Sequence, residues 1–224
     1  VATLRAALPW QKTRGRTAED DRLRFRKEDL RQRVYQERTE RLLSFTVDAS
    51  GAQAMTRLAE AKGAVEILLA AAYARRDHVA LITFRGTGAE VLLPPTRSLV
   101  QAKRRLTALP GGGGTPLAAG LKEALAVADA ASAKGMSPTV ILLTDGKANI
   151  ALDGGANRLQ AEVDAKRVAQ LFFERGIASL IIDTGTRVSK QLTELSSALG
   201  GDYLAMPRAN ALQVSRAVSQ TLDD

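Results

Sequence analysis

The chain has 224 residues, 45% of them hydrophobic and 4% aromatic, with a net charge of +8 and no cysteine. That length buries a full core as one domain plus an appendage, while the missing cysteines exclude disulfides, thiolate metal sites and a cysteine nucleophile. No run of about 18 apolar residues is present to cross a membrane, and VATLRAALPWQKTRGR lacks a signal-peptide core; the sequence therefore reads as cytoplasmic, without membrane insertion, and, opening on Val1, as a piece of something longer.

Residues 1–41 hold twelve Lys/Arg against seven Asp/Glu, which is five of the eight net charges. The acids, from Glu19 to Glu40, are mixed through the basic residues and few aromatics are interleaved, so a charged arm or linker is favoured over a nucleic-acid interface. The remainder, 42–224, alternates strand-length apolar runs with long amphipathic segments, as a parallel sheet with helical crossovers requires. Leu42 to Val47 is the first strand, and a helix follows from about Ala54 to Arg75. His78 to Phe84 is the second strand, and Glu90 to Leu93 is a short edge strand stopped by Pro94-Pro95. A helix over 98–109 runs into four glycines, Gly111 to Gly114, after which Thr115 caps a helix that has Pro116 in its first position and reaches about Ala133.

Thr139 to Leu143 is wholly apolar but for its first residue and reads as a central strand. A loop over 145–157 leads to a helix through Arg175, then a strand from Ala178 to Ile182, a helix from Ser189 to Leu199, a strand from Tyr203 to Ala205 and a closing helix over 209–222. The expected class is α/β: a three-layer, doubly wound, mostly parallel six-stranded sheet with one short antiparallel edge strand.

Chemistry-bearing residues gather where strands end. Asp48 and Ser50 follow the first strand, Thr115 lies in the glycine loop, and Asp145 follows the Thr139 strand. If the Leu42 and Thr139 strands are neighbours, the four converge at the carboxyl edge, where open α/β sheets bind ligands. Carboxylates and hydroxyls without imidazole or thiolate select Mg²⁺ or a similar oxygen-seeking cation, with one coordination position left for a partner's carboxylate. Each aspartate alone also suits a turn or a helix cap. No Walker loop is present, so nucleotide binding is not expected. His78 begins an apolar strand and receives no role. Asp183, followed by Thr184 and Gly185, reads as a turn residue, and Arg85, Arg97, Lys103, Arg104 and Arg105 read as a solvated face.

The order Asp48-x-Ser50, Thr115, Asp145-Gly146 resembles the metal-ion-dependent adhesion site of von Willebrand A and integrin I-like domains over about residues 40–222. By that resemblance Asp48, Ser50 and Thr115 are metal ligands, and Asp145 binds directly or through water. The family has a second serine where this chain has Ala52, so either a water takes that place, the site is weakened, or metal binding has been lost. The longer blocks 57–70, 75–106, LPGGGGTPLAAGL and LLTDGKANIALDG resemble the C-terminal domain of magnesium chelatase D subunits, with cobaltochelatase relatives similar.

That resemblance implies a subunit of the ATP-dependent ligase that inserts Mg²⁺ into protoporphyrin IX for (bacterio)chlorophyll. This domain would be a non-catalytic assembly module. It would bind the ATPase I subunit and the porphyrin-binding H subunit of a hetero-oligomeric ring, with ATP used by the complex but not bound here. The competing readings are a generic metal-dependent binding module of another cytoplasmic complex and direct delivery of Mg²⁺ to the porphyrin.

Overall fold

The computed structural model describes residues 2–17, 19–30, 40–50, 69–108 and 111–205. It divides into two compact units, Val1–Arg38 and Thr39–Asp224. In the first, helix α1 (Ala2–Ala7) passes into a 3₁₀ turn at Leu8–Trp10, and a second 3₁₀ turn spans Lys27–Asp29. Polar groups tie these pieces together. The Gln11 amide donates to the carbonyls of Ala7 and Arg24, both at 2.9 Å, and its oxygen accepts from the Arg24 N–H at 2.8 Å. Arg14 grips Asp29 with both guanidinium nitrogens and holds its carboxyl down to about 2.

The second unit is built on a six-stranded sheet in the order β3-β2-β1-β4-β5-β6. The strands are β1 (Arg41–Asp48), β2 (His78–Arg85), β3 (Gly88–Thr96), β4 (Ser137–Thr144), β5 (Ala178–Asp183) and β6 (Asp202–Ala205). All neighbours are parallel except β2 and β3. Such strands are apolar on both faces because helices cover both, and β1, β2, β4 and β5 are buried almost end to end. One face packs against the helical stretch 69–75 and against α2 (Leu99–Thr107). The other packs against α3 (Leu117–Ser132), α4 (Arg158–Glu174) and α5 (Lys190–Leu199). Winding runs outward from β1 to β3 and then restarts at β4 on the other side of β1. The β1/β4 seam is therefore the switch point, as the sequence reading supposed.

Two local expectations are corrected. β3 is not a four-residue stub: it continues through Pro94 and Pro95 to Thr96, pairing Leu93 with Leu81 and Thr96 with Val79 across register shifts. An edge strand tolerates proline because one side of its backbone needs no ladder partner. Thr115 does not cap α3. Pro116 is the N-cap residue, without a side-chain cap, and α3 starts at Leu117; the Thr115 hydroxyl is engaged elsewhere. Most of the expected 54–75 helix and the whole 209–222 helix lie outside the described residues.

The face of β1 toward α3 carries a buried polar column. Ser44 and Thr46 are fully buried, and their hydroxyls have no hydrogen-bond partner among the described residues. Thr46 sits between Ile82 and Leu142 in register. A buried hydroxyl without a partner carries its full desolvation cost. Thr46→Val keeps the shape and removes that cost, so it should stabilise the domain by about 1 kcal/mol; a urea midpoint that stays put or falls would contradict this.

Candidate functional site

β1 ends at Asp48 and its parallel neighbour β4 ends at Thr144, with Val47 opposite Leu143. Asp48 is 7% exposed. One carboxylate oxygen, Oδ1, accepts from the Ser50 N–H at 2.9 Å and the Ser50 hydroxyl at 2.6 Å; the other, Oδ2, accepts from the Thr144 hydroxyl at 2.7 Å. The Thr115 hydroxyl donates to Ser50 Oγ at 2.6 Å. Asp48, Ser50 and Thr115 thus form one continuous run of oxygens, drawn from segments 65 residues apart.

The glycine loop makes this approach possible. Gly112 donates to the Ala49 carbonyl at 2.9 Å, and Ala49 N–H donates to the Phe84 carbonyl at 3.1 Å. A Cβ on Gly114 would stand 2.6 Å from Ile150 Cγ1 and 2.8 Å from the Gly86 carbonyl oxygen, so only glycine lets the loop pass. Asn149 then fixes Thr115 from the other side. Its Oδ1 accepts from the Thr115 N–H at 2.7 Å, and its own N–H donates to the Thr115 carbonyl at 3.2 Å.

Asp145 follows β4 at the same edge. Its Oδ1 accepts from the Lys147 N–H at 3.2 Å, and its Oδ2 lies 3.2 Å from the Lys147 ammonium. Its charge nonetheless reaches Asp48. Burial pushes the Asp48 carboxyl above its usual range and Asp145 adds to that, against the lowering pull of the Ser50 and Thr144 hydrogen bonds.

Three of the four expected residues are therefore brought into one hydrogen-bonded run, with the fourth electrostatically coupled to them. Ala52 lies outside the described residues. Asn149 was missed, and Thr144, which stands with Asp145 in the strand-end signal, had been given no role of its own. Both lie in the LLTDGKANIALDG block, but a threonine at a strand end and an asparagine in a loop have bland local readings.

Asp183, at the same edge, is fully buried and occupied structurally. It accepts from the Gly185 N–H at 2.7 Å, the Ser189 N–H at 3.1 Å and the Tyr203 hydroxyl. Burial, together with that hydrogen bond, pushes the Tyr203 hydroxyl up to about 12.

The donor set fits a hard cation. It contains only oxygen, and two carboxylates, one of them buried, stand close enough that the charge of Asp145 is felt at Asp48. The same raised carboxyl gives a test that needs no metal. A folded pKa above the unfolded one means that the folded state holds its proton longer, so stability falls as pH climbs from the ordinary value of 3.8 through the raised one. In chelator at neutral pH, Asp48→Asn should therefore be more stable than the wild type, and the gap should close as pH falls toward 4. A gap that does not change with pH would contradict the reading.

Residues 43–147 match the von Willebrand factor type A domain family. Over its whole length the chain is 56% identical to the magnesium-chelatase 60 kDa subunit of Cereibacter sphaeroides and 50% identical to that of Rhodobacter capsulatus, in each case spanning 40% of the relative. The chain thus represents about two fifths of the length of these relatives, at the C-terminal end of the first. Among solved structures, the conserved hypothetical protein BatB of Bacteroides thetaiotaomicron superposes with a TM-score of 0.61 at 19% identity, over 82% of this chain and 100% of that one. At that identity the likeness concerns the fold.

Proposed function

Because the chain belongs to the von Willebrand factor type A domains, in the branch carried by magnesium-chelatase D subunits, we propose that it is a non-catalytic assembly domain of an ATP-dependent magnesium chelatase. In this reading the whole complex inserts Mg²⁺ into protoporphyrin IX in the cytoplasm. The domain from residue 42 onward docks with the ATPase I subunit and the porphyrin-binding H subunit of a hetero-oligomeric ring, and residues 1–41 join it to the rest of the D subunit. ATP is hydrolysed by the complex and not bound by this domain.

The observation that supports a metal-dependent contact is the continuous oxygen run through Asp48, Ser50 and Thr115 at the switch point. Asp48, Ser50 and Thr115 would hold Mg²⁺ directly, and Asp145 would hold it directly or through water. When bound, the cation supplies a Lewis-acidic position for a partner's carboxylate. Thr144 and Asn149 act behind these groups: Thr144 orients Asp48 through one oxygen, and Asn149 fixes the backbone that presents Thr115.

Calorimetric titration of the chain with Mg²⁺, beside pull-down of the I subunit in Mg²⁺ and in chelator, tests the reading. Saturable Mg²⁺ binding with metal-dependent capture is expected. Capture that persists unchanged in chelator would remove the metal from the contact.

A further inference from the structure

Asp145 and Lys147 meet twice across a single glycine. The Lys147 N–H donates to Asp145 Oδ1, and the Lys147 ammonium lies against Asp145 Oδ2, each at 3.2 Å. The turn between them is tight. Gly146 has a φ of +76°, and a Cβ there would stand 2.6 Å from Leu192 Cγ, so glycine is required and the lysine stem folds back over the carboxylate. The Gly146 N–H donates to the Thr144 hydroxyl at 3.1 Å, and that hydroxyl donates to Asp48 Oδ2 at 2.7 Å. One side chain thus ties the turn that carries Lys147 to the buried carboxylate of the oxygen run.

The ion pair is lopsided. The Asp145 side chain is 16% exposed and that of Lys147 62%. Asp29 and Asp77, also recessed and also paired, are held by arginines, Asp29 by both guanidinium nitrogens of Arg14 and Asp77 by Arg41. Arginine grips a carboxylate with a planar fork, whereas lysine is a point charge on a flexible stem. An ammonium that already stands mostly in water loses little by letting go. The recessed carboxylate, whose charge is felt at buried Asp48, loses much more if no cation replaces it. An easily released cation facing acids that need one is the arrangement of an exchangeable counter-ion.

We infer that Lys147 is a tethered competitor of the metal: its ammonium covers Asp145 while the candidate centre is empty and gives way when Mg²⁺ enters. This inference rests on the metal-dependent contact proposed above and adds how that site is regulated. A divalent ion carries twice the charge and takes several oxygens at once, so it displaces the ammonium once its concentration is high enough. The tether raises that concentration. The empty site stays matched in charge, and it fills only above a Mg²⁺ threshold that Lys147 sets. A lysine that had replaced the metal outright would also serve Asp48, but among the described residues that carboxylate is served by Ser50 and Thr144. A lysine needed only for the turn would act through its backbone N–H, which any residue but proline supplies.

Calorimetric titration of the 224-residue chain with Mg²⁺ at low ionic strength tests the exchange. Lys147→Gln should bind Mg²⁺ about two- to fivefold more tightly than the wild type, the range set by one partly exposed ion pair, and Lys147→Glu more tightly still. The difference should shrink in about 1 M salt, where charges are screened beyond roughly 3 Å. Lys134→Gln, which removes an exposed lysine just before β4 at the amino edge, should leave the affinity unchanged. Melting gives a second readout. Lys147→Gln should melt below the wild type in chelator and gain more than the wild type from added Mg²⁺, whereas loss of a mere brace would lower both conditions alike. Equal or weaker Mg²⁺ binding by Lys147→Gln, with saturable binding by the wild type, overturns the competitor and leaves the metal-dependent contact standing. Absence of saturable Mg²⁺ binding from the wild type and both Lys147 variants overturns that contact and the exchange with it.

Discussion

Mg²⁺ affinity should collapse in Asp48→Ala, by more than the about 10–100-fold that loss of a merely supporting residue costs. Asp48 is the hub of the oxygen run: Ser50 and Thr144 both donate to its carboxylate, and Thr115 reaches it through Ser50. Removing the carboxylate takes away a charged donor and leaves the Ser50 and Thr144 hydroxyls without their acceptor. Two readouts separate metal loss from misfolding. Added Mg²⁺ should raise the wild-type melting temperature, as any ligand of the folded state does, and should leave that of the variant unmoved while its far-ultraviolet circular dichroism stays native. Capture of the I subunit should fall with it. Asp145→Ala should cost less, because Asp145 is partly neutralised by Lys147. An Asp48→Ala chain that titrates with Mg²⁺ like the wild type would sink the assignment.

Gly120→Ala should destabilise the domain by about 1–3 kcal/mol, although alanine is the better helix former by about 1 kcal/mol. Gly120 lies in α3 where the helix crosses the end of β2, and an added Cβ would stand 2.4 Å from Phe84 Cδ1 and 2.8 Å from its Cγ. Phe84 is fully buried, so its ring has nowhere to retreat. The damage should extend to the candidate centre, because the Phe84 carbonyl accepts from Ala49 directly after Asp48. Phe84→Leu should recover part of the loss in combination, which a double-mutant cycle reads as coupling between the two positions. Strictly additive effects would show that the contact is not what limits the site.

The strands were legible because a parallel sheet covered on both faces writes itself as mostly apolar runs, as in Leu42 to Val47 and Ala178 to Ile182, broken only by the small hydroxyl residues Ser44, Thr46 and Ser179. The convergence of Asp48, Ser50 and Thr115 was legible because strand ends at a switch point carry the ligand chemistry. What failed was local signal overridden by distant partners. Thr115 before Pro116 has the pattern of a helix cap, and nothing nearby reveals that Ser50, 65 residues away, engages its hydroxyl. Pro94-Pro95 reads as the stop of the edge strand, although a strand whose outer side needs no ladder partner can carry prolines through to Thr96. Thr144 looks like one more strand residue until β1 is set beside it. The hydroxyls of Ser44 and Thr46, unpartnered among the described residues, likewise have no signature in a sequence that is otherwise apolar at that strand.

The hydrogen bond from Thr144 to Asp48 closes over 96 residues, and that span has a meaning in time. A ribosome adds about 5–20 residues per second, so Asp48 waits roughly 5–20 s for Thr144 to be made. During that interval β1 has only its later-sequence neighbours toward β3 to pair with, and its carboxylate has neither its Thr144 donor nor Asp145 beside it. The oxygen run is thus a late product of synthesis. A nascent chain cannot complete the donor set of Asp48 before β4 has been made and laid beside β1.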